Sequence, residues 1–173
     1  MSEQLTIRKV TPADIDALSD VSITTFKETY TEHNTPENME LYMDEYFNPE
    51  RLKEEIEDDR NVFFFAYIDD EIAGYIKLSV NKQPAALKKA TAIEIERIYV
   101  LKKYHDQKIG SALLSYSISY SITHGYDMLW LGVWESNERA INFYKRWGFE
   151  IFGDHIFQLG TEAQTDLLMK RKC

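Results

Sequence analysis

The stretch AIEIERIYV, residues 92–100, sets Glu94 and Glu96 two positions apart in an otherwise largely apolar run. Read as a strictly alternating strand, it puts Glu94, Glu96, Ile98 and Val100 on one face and Ile93, Ile95, Arg97 and Tyr99 on the other. Burial disfavours a charged carboxylate and a neighbouring carboxylate adds to the effect, so such a pair would poise one glutamate as a general base near neutral pH. The alternative is that both face solvent or pair with Lys or Arg. Tyr144 is a second candidate. In SNERAINFYKRWGF (136–149), Ala140, Ile141, Tyr144 and Trp147 recur at helical spacing, which brings a hydroxyl onto a packed surface where it needs a partner or a task.

A third candidate is YHDQKIGSALL (104–114), which looks like a loop opening a helix. Backbone N–H groups at a helix start, together with the helix dipole, form an anion cradle. Gly132 interrupts MLWLGVW (128–134), and a glycine in mid-strand marks a bulge or a close approach to the backbone, by a ligand or by a neighbouring aromatic ring. His33, His105, His124 and His155 stand on separate segments without a short ligand spacing, so no metal site is expected.

These residues need a scaffold. LTIRKV (5–10) alternates as a half-buried strand, and TPADIDALSDVSITTF (11–26) opens a helix with Thr11 as cap and Pro12 in its first turn. A helical region over 36–58 should break at Asn48, because Pro49 disfavours helix before it. VFFFAYI (62–68) and EIAGYIKLSV (71–80) read as a hairpin of central strands, with Ile72, Ile76, Leu78 and Val80 on one face. A polar loop over 81–91 leads to the two-glutamate strand. LSYSISYSI (114–122) alternates with period two, which by itself favours a strand, although Leu114, Ile118 and Ile122 also fit a helix face. Then come a strand at 128–134, a helix at 137–147 capped by Ser136 or Asn137 and stopped by Gly148, and two closing strands. The sum is an α/β fold with a mixed sheet.

The 173 residues suit one domain, 1–173, with 44% hydrophobic and 13% aromatic content. No apolar run is long enough to span a membrane, and the start lacks a signal-peptide pattern, so a cytoplasmic location is expected. The single cysteine, Cys173, gives little case for a catalytic thiol. With 20 basic against 29 acidic residues the net charge is -9, which repels nucleic acid and favours cationic partners.

The order of a strand, a hairpin, an acidic strand ending IYV, a helix opened at IGSALL, and then WLGVWESNERAINFYKRWGF resembles the GCN5-related N-acetyltransferase (GNAT) superfamily over nearly the whole chain. NTPENM, FFFAYIDDEIAGYIKL, IEIERIYV, LGVWESNERAINFYKRWGF and EAQTDLL look like the PaiA-type spermidine and spermine acetyltransferases. The resemblance implies a mixed central sheet splayed between its fourth and fifth strands and flanked by helices, with residues 110–124 forming the cofactor helix rather than a strand. It implies acetyl-CoA as co-substrate. The backbone of Ile98, Tyr99 and Val100 would pair with pantetheine, and His105, Asp106, Gln107, Lys108, Ile109, Gly110 and Ser111 would hold the pyrophosphate. Asn137 would contact the pantetheine from the next helix, and Lys145 and Arg146 complete the cofactor-binding set. The family's loop reads Gln or Arg, two residues, Gly, one residue, then Gly or Ala; here His105 takes the first place and Lys108 that of the first glycine.

The same resemblance makes Glu96 or Glu94 the base for an alkylammonium acceptor, acting through water, and Tyr144 the acid for the leaving thiolate in a ternary complex. The acceptor is expected to be a polyamine met by Glu28, Tyr30 and Glu37, within a segment (27–47) that interleaves carboxylates with tyrosines, and by Trp134 of the later strand. Rival readings are acetylation of a protein, peptide or antibiotic amine, or a non-catalytic CoA- or polyamine-sensing regulator. The aromatic-rich C-terminal strands could support a homodimer.

Overall fold

The computed structural model describes residues 4–173. Seven strands form one sheet in the order β1 (Leu5–Lys9), β2 (Asn61–Ile68), β3 (Glu71–Ser79), β4 (Ala92–Val100), β5 (Met128–Trp134), β7 (Glu162–Lys172), β6 (Glu150–Leu159). All neighbours are antiparallel except β4 and β5, which makes the sheet mixed. The helices are α1 (Ile15–Tyr30), α2 (Pro36–Tyr46), α3 (Pro49–Glu57), α4 (Ile109–Thr123) and α5 (Glu138–Arg146). No helix among the described residues is long and apolar enough to cross a membrane.

Two layers of helix cover the two faces. Leu18 and Val21 of α1 and Leu52 of α3 pack on Phe63, Phe65 and Tyr75. On the opposite face Leu113 and Leu114 of α4 and Ile141 and Tyr144 of α5 pack on Ile76, Leu78, Ile93, Ile95 and Leu131. The break between α2 and α3 falls where Pro49 requires it, with the Asn48 side chain accepting from the Arg51 N–H at 2.8 Å as the cap of α3. β1 is an edge strand with mostly exposed side chains, not the half-buried strand its alternation suggested.

Two bulges alter the faces that alternation assigns. Ala66 pairs with Gly74 and Tyr67 with Ile72, so Ala73 is the extra residue. Ile72 accordingly packs with the α1/α3 layer, while Ile76, Leu78 and Val80 belong to the α4/α5 layer. On β4, Arg97 pairs with Lys77 and Ile95 with Leu78, so Glu96 is the extra residue. Ile93 and Ile95 before the bulge, and Ile98 and Val100 after it, all join the α4/α5 layer. The expected face shared by Glu94, Glu96, Ile98 and Val100 is therefore corrected: a bulge of one residue inverts the parity of everything beyond it.

LSYSISYSI is helical, as part of α4. The buried positions of α4 are Ile109, Leu113, Leu114, Ser117 and Ser121, a helical stripe in which two of five residues are serines. The Ser117 and Ser121 hydroxyls donate to the carbonyls of Leu113 and Ser117 at 2.8 and 2.7 Å, which lets them be buried without an unpaired donor.

Candidate active site

β4 and β5 pair only from Ala92 with Met128 to Ile95 with Leu131. Beyond that point the two parallel strands carry no mutual register, and a cavity of about 1030 Å³ opens at the divergence. It is lined from β4 by Glu94 through Val100, from β5 by Trp130 through Trp134, and from α5 by Ala140, Phe143 and Tyr144. Clefts at the carboxyl ends of diverging parallel strands are where α/β sheets bind ligands.

The two glutamates of β4 differ sharply. Glu94 is buried, and its Oε1 has no hydrogen-bond partner among the described residues. Burial, reinforced by the charge of Glu96, pushes its carboxyl up to about 7, against smaller opposing effects of Lys82, Lys77 and Arg97. Glu96 instead pairs with Lys77 at 2.7 Å. One glutamate is thus buried without a partner on Oε1 and the other is paired with a lysine. Lys77 also meets Glu55 of α3 at 2.8 Å, and Arg97 meets Glu55 at 3.0 Å. Burial opposes the Glu55 charge, but Arg97 and Lys77 outweigh it and hold its carboxyl below the usual range.

At the other end of β4, the six-residue 3-10 turn Lys102–Gln107 leads into α4. Lys108 caps that helix in the left-handed region, at φ 58° and ψ 29°. A Cβ built on Gly110 meets only Phe143 at 3.8 Å and Val100 at 4.0 Å, so packing alone leaves room for a side chain there. His105 Nε2 lies 2.9 Å from the Val100 carbonyl, and Arg139 lies 3.4 Å from its Nδ1. Lys102, Lys108, Arg139 and Arg146 put cationic side chains around this end of the cavity. Asn137 caps α5, its Oδ1 accepting from the Ala140 N–H at 3.2 Å, which leaves its amide NH2 uncommitted by that bond. Burial pushes the Tyr144 hydroxyl far up, so it stays protonated at neutral pH.

Of the residues singled out in the sequence, Glu28, Tyr30, Glu94, Glu96, Ile98, Tyr99, Val100, His105, Asp106, Lys108, Gly110, Ser111, Trp134, Asn137, Tyr144 and Arg146 line this one cavity. Four of the expected residues do not present side chains to it. Glu37 is exposed in the first turn of α2 and Lys145 is exposed on α5; neither lines the cavity, because each lies on the solvent side of its helix. Gln107 is exposed outside it, and the Ile109 side chain is buried in the α4/α5 layer. Glu28 lines the cavity, but its Oε1 accepts from the Lys102 N–H at 3.0 Å and so also fixes the loop after β4.

The sequence reading missed Asp166, Phe157, Trp130 and Lys82, which also line the cavity. A signal for Asp166 existed: QTDLLM is a strand whose single carboxylate shares a face with Leu168, an arrangement that needs a partner.

The comparisons agree with this geometry. The model of the acetyltransferase (GNAT) family matches residues 24–149. An uncharacterised N-acetyltransferase of Lactobacillus delbrueckii subsp. lactis is 35% identical over 165 residues, covering 95% of each chain. The spermidine N(1)-acetyltransferase of Thermoplasma acidophilum is 27% identical over 149 residues, 84% of this chain and 88% of that one. A crystal structure of the PaiA N-acetyltransferase of Thermoplasma acidophilum in complex with coenzyme A superposes with a TM-score of 0.81 at 25% identity, covering 98% of this chain and 99% of that one. By fold, by the splayed strands and by family match, the chain belongs to the acetyltransferase (GNAT) family.

Proposed function

We propose that the protein transfers an acetyl group from acetyl-CoA to a primary amine of a polyamine of the spermidine or spermine kind, by direct attack in a ternary complex. N-acetyl transfer and acetyl-CoA as co-substrate follow from the family; the polyamine and the residue roles are our inference. The observation that carries it is Glu94, a buried carboxyl pushed up to about 7 with a free oxygen, at the mouth of the gap between β4 and β5.

The cavity suits the co-substrate. Cationic side chains gather near the start of α4, where N–H groups and the helix dipole favour a pyrophosphate, and the open side of Gly110 leaves space beside them. The unpaired stretch of β4 offers backbone groups to the pantetheine arm. Bound acetyl-CoA supplies the activated acyl group as a thioester.

An alkylammonium with a pKa near 10 has no lone pair for attack until it loses a proton. Glu94, ionised above about pH 7, takes that proton through water. The amine nitrogen bonds to the acyl carbon, the carbon–sulfur bond breaks, and Tyr144 donates its hydroxyl proton to the departing thiolate. The second proton lost by nitrogen restores Tyr144, so the products are an amide, a thiol and one released proton. No side-chain nucleophile is required.

The test is thermal stabilisation by acetyl-CoA followed by thiol release over an amine panel. The expected result is a shift in Tm with acetyl-CoA and a higher kcat/KM for spermidine or spermine than for N-terminal peptides or lysine peptides. A preference for peptides, or ping-pong kinetics with an acetylated enzyme, overturns the reading.

A further inference from the structure

The cavity has a wall that the proposed chemistry does not use. Asp166 of β7 leans back over β5, so that a Cβ built on Gly132 would stand 3.3 Å from its Oδ2. Because position 132 is a glycine, no side chain of β5 lies at that spot, and both residues line the cavity. Burial pushes the Asp166 carboxyl up, His155 opposite it on β6 pulls it back, and no hydrogen bond acts on it among the described residues. Aromatic rings frame the same space. Tyr30 lies 6.1 Å from Trp134 and 6.4 Å from Phe157, and His33 stands edge-on to Trp134 at 4.9 Å.

A half-buried carboxylate without a hydrogen-bonded partner, inside a frame of rings, is matched by an alkylammonium. The carboxylate neutralises the charge, the ring faces attract the cation, and the methylenes pack on the same rings. Its position relative to Glu94 matters. Glu94 is in register with Trp130, and Gly132 lies two residues further along β5. At ordinary sheet spacing the backbone positions 94 and 132 are roughly 8 Å apart. That offset suits two nitrogens joined by a short alkyl spacer.

We infer that Asp166, with Tyr30, Trp134 and Phe157, forms a subsite for the second, non-reacting ammonium of a diamine or polyamine whose first nitrogen is acetylated beside Glu94. The inference rests on the reading of Glu94 as base and deepens it. A monoamine leaves the subsite unused, and an anionic acceptor is repelled by it. Gly132 belongs to the device, since a methyl group there would shield the carboxylate.

The experiment compares 1,4-diaminobutane with butylamine in wild type, Asp166→Asn and Gly132→Ala, by thiol release and by calorimetric binding of each amine to the CoA-loaded protein. The expected result is a fall of about tenfold or more in the diamine-to-monoamine ratio of kcat/KM for Asp166→Asn, in line with the loss of a charged hydrogen bond. Gly132→Ala moves the ratio the same way. If both amines are acetylated and neither variant changes the ratio, the subsite is overturned and the acetyl-transfer reading stands. If wild type acetylates neither amine but its affinity for the diamine falls in Asp166→Asn, the subsite stands and the acceptor assignment fails. If wild type neither acetylates nor binds the diamine, both are overturned.

Discussion

The Lys77 ammonium lies 2.7 Å from the Glu96 carboxylate, and that contact separates two glutamates that the sequence sets side by side. The β4 bulge makes it possible, because Glu96 is the residue left without a partner on β3. Glu96 sits beside a buried cation, and its carboxylate helps hold the proton on Glu94. Glu94 Oε1 is buried without a hydrogen-bond partner among the described residues, whereas Glu96 Oε2 is engaged by Lys77.

Glu94→Gln is expected to lower kcat by roughly 10²- to 10⁴-fold, the usual contribution of a positioned base. In wild type, kcat/KM should rise with pH through about 7 as Glu94 ionises. Stability should move the opposite way. The folded carboxyl holds its proton up to about pH 7, whereas an unperturbed glutamate releases it near 4.5, so the folded chain binds more protons between those limits. Stability therefore falls as pH rises through that window, by about 3 kcal/mol in all. Glu94→Gln removes this penalty, and urea unfolding at pH 5 and pH 8 should show a variant that gains on wild type only at the higher pH.

Glu96→Gln separates the base from its neighbour. Removing the Glu96 charge takes away the second cause of the raised Glu94 carboxyl. The ascending limb of the pH–rate profile should move to lower pH while turnover persists. A loss of turnover as deep as that of Glu94→Gln, without a shift of the limb, would make Glu96 the base instead.

Glu55→Gln tests the cluster beneath. Lys77 and Arg97 are both almost fully buried and both pair with Glu55. Neutralising the shared carboxylate leaves two buried cations undercompensated, which is expected to cost about 3 to 5 kcal/mol. The Glu55 carboxyl is held below its ordinary value, so its contribution is present above the unfolded pKa and is lost as pH falls through the folded one. Urea titrations at pH 7 and pH 3 should therefore differ more for wild type than for the variant.

Much of this was legible along the chain because local signals were strong. Pro49 marked the break before α3, Gly148 the end of α5, and AIEIERIYV and MLWLGVW coincide with β4 and β5. The α4 segment needed the family resemblance, because two of its five buried residues are serines and no hydropathy pattern records a hydroxyl bonded to its own helix. The bulges at Ala73 and Glu96 left no trace in composition, since a bulge is a property of two strands in register. Strict alternation consequently paired Glu94 with Glu96 and missed Lys77, whose role depends on a strand and a helix remote from it in sequence. Asp166 left a local signal as the lone carboxylate of QTDLLM, but its significance lies in the missing side chain of Gly132 on the neighbouring strand.

Lys108 departs from the family's loop pattern, and its backbone shows what the departure costs. It adopts φ 58° and ψ 29°, the left-handed conformation that glycine enters freely. For a residue with a Cβ this costs roughly 1 to 2 kcal/mol. A glycine there would relieve the strain but lose more freedom on folding, by roughly 0.5 to 1 kcal/mol. Lys108→Gly should thus leave the unliganded chain as stable as wild type or slightly more so. The side chain has a separate effect, because the ammonium lines the end of the cavity where the phosphates of CoA are proposed to lie. Its loss should weaken CoA binding most at low salt and flatten the dependence of affinity on ionic strength. Calorimetric Kd values at two salt concentrations, set beside urea stability of the free protein, resolve the two effects. Tighter binding at every salt concentration would make the lysine only a conformational burden on the loop.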